Sequence, residues 1–446
     1  GSEGDNPETP NTLRVTVLDH YNTQIPAIGA SVSFYKPDGK LIAKTLLTNL
    51  QGVADFGEVD LGPVAKNSET ARVTISVSYQ QGDAIRVWTF VDILPGNRVV
   101  YVRLPRTACN PQGSLSATFN SNPEGDRARL HPLYNYADAQ TQESASASVE
   151  NGSVEFRDVT VCEDDVQPDG KVTVLSSVFD GNTITAYGFA ADQAVGENVL
   201  IPPTTANHLP GSVTWSASGI EPDTVWTVAS RQGFSHAIYA FGSDPGEMSG
   251  TVGVYSAFPS DHWVLLADSN QTSDVSSRYC GIERAYTNPP AHFDVAIADM
   301  GVDSFHYDAQ SHTFHFPGDY NALTLHRLIL RFDTPGFAFW RIHLPPDRIQ
   351  FQLPQLDANT LAALGDDPLS SIVGSLSPLK ASESNYDAIT DDYLSVSNSF
   401  PQPESLHFCF YEDQYNSTQN FLAAEGAPFE QLMGTVGEIS GSLREP

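Results

Sequence analysis

The sequence predicts an all-β protein: tandem immunoglobulin-like β-sandwich modules followed by a larger C-terminal β-sandwich unit. Three observations carry this. Apolar residues recur with period two in many short runs, whereas long runs of helical period are scarce. The 33 glycines and 30 prolines are spread along the 446 residues, as many short strands with many reversals require. An ordered series of residues between Gln51 and Trp88 also returns about a hundred positions later.

Residues 1–11 (GSEGDNPETPN) are polar and rich in Pro and Gly, and predict a flexible leader. The first module, residues 12–106, is organised around Gln24–Leu61. There Val32 and Phe34 alternate with Ser31 and Ser33, which predicts a strand with one buried face. Pro37-Asp38-Gly39 supplies a reversal, because proline pre-sets φ and glycine accepts positive φ. Leu41–Leu47 and Val53–Phe56 predict the next two strands. Arg72–Tyr79, Ala84–Val91 and Val99–Leu104 follow, with Trp88 expected in the core. The total is about the seven strands of an immunoglobulin-like sandwich.

The second module, residues 107–207, is a divergent copy. Asn151-Gly152-Ser153-Val154-Glu155-Phe156 echoes Gln51-Gly52-Val53-Ala54-Asp55-Phe56, and Lys171-Val172-Thr173-Val174 echoes Arg72-Val73-Thr74-Ile75. Asp180-Gly181-Asn182 repeats the turn Gln81-Gly82-Asp83, and Tyr187 takes the place of Trp88. An ordered series of this kind is the mark of tandem repetition. Its first strands, between Gly113 and Ser148, lack a counterpart pattern.

Residues 208–446 read as a larger β-rich domain. Strands are expected at Gly211–Trp215, Val225–Val228, His236–Phe241, Gly250–Ser256, His262–Ala267, Phe293–Ala298, Ser304–Tyr307, His312–Phe316, Ala322–Phe332 and Phe337–Leu344. Phe351–Leu356 reads as an edge, where its proline is tolerated. Asp357–Leu364 predicts one short helix, Gly365–Ser405 an acidic loop with a turn or two of helix, and Leu406–Tyr411 a late strand.

The run Pro26-Ala27-Ile28-Gly29-Ala30-Ser31-Val32, followed by Thr48-Asn49-Leu50-Gln51-Gly52-Val53-Ala54-Asp55-Phe56, carries a resemblance. It resembles the P-x-x-G-A-x-V … T-x-x-x-G-x-A-x-F pattern of carboxypeptidase regulatory-like and bacterial immunoglobulin-like (prealbumin-type) β-sandwich domains. The match spans residues 12–106. It implies spacer, stalk or docking modules of exported proteins and brings no catalytic residue.

The formal charge is −31. Residues 12–106 hold 10 basic and 8 acidic side chains, residues 107–207 hold 4 and 14, and residues 208–446 hold 9 and 29. So negative a surface repels phosphate backbones and argues against nucleic acid as a partner. Solubility is the simpler reason for the charge; calcium or a basic partner is the sharper one. Cys109, Cys162, Cys280 and Cys409 form no C-x-x-C pair. Wide spacing in a lysine-poor β chain predicts two disulfides, in an oxidising compartment. Of three pairings, Cys109–Cys162 with Cys280–Cys409 keeps each bond inside one expected domain. No apolar run approaches the roughly 18 residues that suggest a membrane span. The leader resembles the tether behind the lipidated cysteine of mature bacterial lipoproteins, which would put a lipid anchor upstream of residue 1.

Reactive constellations are weak. His306, His312 and His315 are the tightest histidine cluster, but His312 and His315 on one strand would point to opposite faces, so no metal site is expected. Ser260-Asp261-His262 has the residue types of a hydrolase triad, yet sequence neighbours seldom converge. Gly233-Phe234-Ser235-His236-Ala237 misses the nucleophile elbow by its last residue and has no helix after it. The pairs Asp164-Asp165, Asp366-Asp367, Asp391-Asp392 and Glu412-Asp413 arise readily in an acidic chain. Trp215, Trp226, Trp263 and Trp340, with Tyr239, Tyr255 and Tyr307, would suit a sugar platform if exposed and a core if buried.

The expectation is therefore a non-enzymatic, exported bacterial protein of the cell surface, outer membrane or periplasm, without cofactor, metal or catalytic residues. Its modules would present an acidic C-terminal domain to a protein or polysaccharide of the envelope or matrix. Alternatives are a carbohydrate-binding protein, an assembly or filament component, and a hydrolase with an unrecognised site.

Overall fold

The computed structural model describes residues 11–412 other than 20–24, 63–70, 103–110, 121–126, 134–144, 149–152, 163–165, 167–168, 182, 197, 202–208, 232–234, 243–245, 274–275, 303–304, 333, 335–337, 371, 383 and 396–403. Among the described residues the protein is all-β, with two short helices. One strand order recurs along it.

In the first set, β1 (Thr12–Leu18) lies between β4 (Val53–Glu58) and β7 (Gly96–Tyr101). The facing layer runs β3 (Ile42–Leu47), β2 (Ser31–Tyr35), β5 (Val73–Gln81), β6 (Ala84–Ile93). The Pro26–Phe56 pattern makes physical sense here. Thr48 Oγ1 donates to the Ala27 carbonyl and accepts from the Ala30 N–H, tying two loops together. Gly52 sits at φ +74°, where an added Cβ would lie 2.4 Å from the Val17 carbonyl oxygen. Ala30, Val32, Ala54 and Phe56 are buried between the layers.

The second set repeats the order. β11 (Ser153–Cys162), β8 (Pro111–Asn120) and β14 (Asn198–Ile201) form one layer; β10 (Ala145–Ser148), β9 (Arg127–Leu133), β12 (Lys171–Asp180) and β13 (Thr183–Ala194) form the other. The stretch without a counterpart pattern thus supplies three strands. The backbone repeats in detail. Asp92 and Asp192 both take positive φ at a bulge, and their N–H groups donate to Thr74 Oγ1 and Thr173 Oγ1. Gly82 and Gly181 both turn at φ +59°. Tyr187 corrects one expectation: it shares the strand position of Trp88 but not its face. Trp88 points between its own layers, whereas Tyr187 points out and packs on Tyr255.

Residues 211–412 hold two further sets. The third has β18 (Ser249–Val254), β15 (Gly211–Ala217), β21 (His292–Val295) over β17 (Ser235–Gly242), β16 (Thr224–Arg231), β19 (His262–Ser273), β20 (Ser276–Tyr286). The fourth has β22 (His306–Asp308), β23 (Thr313–His315), β26 (Gln350–Gln352) over β25 (Ala338–Leu344), β24 (Leu325–Arg331), β27 (Val373–Ala381), β28 (Ser405–Glu412). In its smaller layer β22 runs antiparallel to β23, at the place where the other sets put their parallel last strand. Helices α1 (Ala358–Ala363) and α2 (Tyr386–Tyr393) flank β27. The acidic loop with a turn or two of helix expected over Gly365–Ser405 does hold a short helix, and is corrected by an internal strand, β27.

Three of the four larger layers fuse into one sheet of twelve strands, β17-β16-β19-β20-β28-β27-β24-β25-β6-β5-β2-β3. Two seams join them. β20 meets β28 antiparallel, with Cys280 opposite Cys409 and a disulfide between them (Cα–Cα 4.0 Å). β25 meets β6 parallel, Ala338 beside Ile85 through His343 beside Phe90. The small layer of the first set lies on one face of this sheet, and those of the third and fourth sets lie on the other. Trp88 and Phe90 accordingly join one core, and Val87, Trp340 and Ile342 the other. The second set keeps its own core, from Leu115 to Val199, and touches the rest through Leu175, Tyr187 and Phe189. No helix among the described residues is long and apolar enough to cross a membrane.

Candidate functional site

Among the described residues, the seam between β6 and β25 gathers a set of buried charged and polar side chains. Arg86, Arg327, Arg341 and His343 are each at most 1% exposed, and His326, equally buried, lies on the other face of the sheet against Phe316 and Tyr320. Strand alternation brings Arg327, Arg341 and His343 to the face that carries Trp88 and Phe90. There Arg341 lies 4.6 Å and Arg86 5.4 Å from the Phe339 ring centroid, close enough for cation–π attraction. His343 stacks on Phe90 at 4.5 Å. Burial first, and then the positive charges of Arg327 and Arg341, hold the His343 pKa well below its ordinary value. Burial lowers that of His326 to about 4. Both rings favour the neutral form at physiological pH and pack against aromatic rings, His343 on Phe90 and His326 on Tyr320.

Each face of the seam is closed by a helix. On one side α2 caps its N-terminus with the Asn385 side chain and buries Tyr386, Ile389 and Tyr393. Tyr386 OH donates to the Val91 carbonyl, with the His343 carbonyl also in reach at 3.2 Å, so its one proton bridges the two strands. Arg72 pairs with Asp387, Arg98 with Asp391, and Arg348 with Asp92. On the other side α1 and the segment before it cover the serine face of β2 and β5. Ser31 Oγ donates to Asp357 at 3.1 Å, Tyr35 OH to the Gln355 carbonyl at 2.6 Å, and Ser78 and Thr360 hydroxyls meet at 2.6 Å. Trp340 Nε1 donates to Thr89 Oγ1 at 2.8 Å. The single buried face expected for Ser31–Phe34 is therefore corrected. Ser33, Ser76 and Ser78 are buried too, under residues that lie far away in sequence.

The sequence candidates separate clearly. Cys280 and Cys409 are joined; Cys109 lies outside the described residues, as does the side chain of Cys162. His306 and His315 face each other across β22 and β23 and stack at 4.9 Å, while His312 sits in the turn at φ +51°. Ser260 and Asp261 end a loop and His262 opens β19, its pKa lowered by burial. Ser235 opens β17, a strand, in place of the helix an elbow needs. Trp88, Trp215, Trp226, Trp263 and Trp340 are all buried, so none serves an exposed platform. Tyr239 has its side chain outside the described residues, and Asp164-Asp165 and Asp413 lie outside them. Among the described residues no group of three or more His, Cys, Asp or Glu is placed to hold a metal.

One constellation has no sequence signal. His292 Nδ1 meets Thr214 Oγ1 at 2.8 Å, and its Nε2 meets Ser216 Oγ at 2.9 Å and Asp294 at 3.3 Å. Thr214 and Asp294 thus meet opposite ring nitrogens, with Ser216 sharing Nε2 with the carboxylate. Only the parallel pairing of β15 with β21 brings these residues together.

The described surface also carries an apolar cluster on the first set. Ile25, Ile28, Leu47 and Leu50 are 52%, 53%, 67% and 73% exposed. The loops bearing them are tied by Thr48, whose N–H donates to Ala30 O and whose carbonyl accepts from Gly29 N.

No protein-family model matches the chain, and no curated protein matches it. Among solved structures, one described as a tetra-tandem repeat in the extending region of a large adhesion protein is 12% identical. It covers 84% of this chain and 96% of that one at a TM-score of 0.13, too low to carry any argument.

Proposed function

We propose that the protein is an exported, non-enzymatic binding protein of the cell envelope, in which stiff β-sandwich sets present an acidic surface to a protein or polysaccharide partner. The observation that carries this reading is the twelve-stranded sheet. Continuous backbone pairing fuses the near-neutral first set to the strongly acidic later ones. Hinge motion at the β6–β25 seam would have to break the hydrogen bonds of a parallel ladder and unseat both α1 and α2. A scaffold of that kind holds a recognition surface at a fixed geometry, which lowers the ordering cost of binding. The Cys280–Cys409 disulfide supports an oxidising compartment. The catalytic candidates support the same reading, since Ser235, His262, His306 and His315 have positions explained by strand pairing or burial. The resemblance of residues 12–106 to carboxypeptidase regulatory-like and prealbumin-type modules adds a docking or spacer role.

Particles coated with the full chain should adhere to bacterial envelope or host-matrix preparations more than particles coated with an unrelated protein of equal negative charge. Adhesion no greater than that control would overturn the proposal. So would turnover of ester, peptide or glycoside substrates that is lost in His262→Ala.

A further inference from the structure

We propose that β3 is a joining edge for a second copy of this chain, whose sixth strand, β13, would lie beside it and continue the sheet from one molecule into the next. The proposal stands apart from envelope binding, which could fail with this intact.

Among the described residues β3 ends the twelve-stranded sheet with β2 as its only strand neighbour, the Gln355 side chain accepting from the Ile42 N–H at its start. The Thr48 N–H points toward Ala30. By alternation Leu46 points toward β2 as well, which leaves the Thr45 and Leu47 N–H groups aimed outward. Such an edge is a template for another strand.

The chain already uses this kind of edge. β3 is the third strand of its set, and β25, which takes the corresponding place in the larger layer of the fourth set, accepts β6, a sixth strand, in parallel. β6, β20 and β28, which hold the sixth-strand place in their layers, each lie between two others, whereas β13 has one strand neighbour among the described residues.

Charge selects the partner. Residues 25–50 carry Lys36, Lys40 and Lys44 against Asp38, a local excess of positive charge in a chain of net charge −31. Two β3 edges pairing with each other would set these lysines face to face. β13 carries Asp192 and no basic residue, with Asp180 at the turn that leads into it, so it avoids the repulsion that a second β3 would meet. A lysine on an edge often serves only to discourage pairing. Here it is flanked by Leu41, Leu47, Leu50 and Ile28, all 49–73% exposed, an apolar rim that solubility alone would not keep.

Third-to-sixth pairing is heterologous, so growth is open-ended or closes into a ring. Sedimentation of the full chain at rising concentration in low salt should show a reversible series of species beyond the dimer. The series should shrink at about 0.5 M salt, where screening is nearly complete within a few ångströms. Leu47→Pro removes an outward N–H, and Lys44→Glu reverses the charge; each should weaken association by roughly tenfold or more, with an unchanged thermal midpoint. Asp180→Lys, at the start of the β12–β13 turn, tests the opposite edge and should weaken association too. A chain that stays monomeric throughout, or association untouched by all three variants, would overturn the proposal. Association that stops at a dimer and is lost only in the β3 variants would overturn the choice of β13.

Discussion

At the residue scale, packing at the β20–β28 seam is sharp enough to predict from one atom. Gly281 lies opposite Phe408, and a Cβ built on it would come within 2.3 Å of the Phe408 ring and 2.8 Å of the Ala267 carbonyl. Neither the backbone nor a ring in a packed layer yields easily, so Gly281→Ala should cost about 1–3 kcal/mol, read as a lower thermal midpoint. The paired glycine-to-alanine change at Gly82, where an added Cβ meets nothing within 4 Å, suffers only from its positive φ. The buried histidines make a second prediction. His326 and His343 have folded-state pKa values below the unfolded value near 6.5, so acid favours the unfolded chain. Their contribution is whole above about pH 6.5 and is lost as pH falls, at up to about 1.4 kcal/mol per unit for each ring. For His326 the loss continues down to about 4. Denaturant titrations between pH 7 and 5 should show stability falling with pH, with a shallower slope in a folded His326→Gln variant; an equal slope would contradict the assignment.

At the element scale, the disulfide fastens two strands that are 129 residues apart in sequence. Loop-closure entropy for so long a span is roughly 4–5 kcal/mol, an upper figure because denatured chains keep some structure. Cys280→Ala with Cys409→Ala should therefore lower the denaturant midpoint while the β-sheet circular dichroism persists; no change in midpoint would mean that strand pairing alone holds the seam. The same region shows what is legible in sequence. Arg72–Tyr79 and Ala84–Val91 announce themselves by alternation and clean turns. β20 (SSRYCGIERAY) does not, because it mixes charged and small residues at positions buried only by its neighbours. β27 hides for another reason: Ser375, Ser377 and Pro378 look like a loop, yet the strand lies between β24 and β28. Proline inside a sheet is uncommon enough that a sequence argument discards it. The polar seam was equally hidden, since Arg327, Arg341 and His343 sit inside apolar runs and acquire their surroundings only when β25 meets β6.

At the scale of the whole molecule, the distribution of cores predicts how the protein comes apart. The first, third and fourth sets share one sheet, and each of its two main cores draws residues from more than one set. Ile85, Val87 and Val91 of the first set share a core with Trp340 of the fourth, and Tyr393 of the fourth packs on Phe90 of the first. Removing any one set would expose buried apolar surface and break a ladder, so these three should unfold as a unit. The second set differs. Its core is its own, and among the described residues it meets the third through Leu175, Tyr187 against Tyr255, Phe189 against Phe258, and the bonds from Tyr255 to Ser177 and from Ala257 N to Tyr187 OH. A unit with its own sheets and core is coupled to its neighbour less tightly than sets that share one sheet. Calorimetry should resolve two transitions, the smaller belonging to residues 111–201, and Tyr187→Ala should lower that one while barely moving the larger. A single transition, shifted as a whole by Tyr187→Ala, would mean that docking contributes enough to make all four sets one cooperative body.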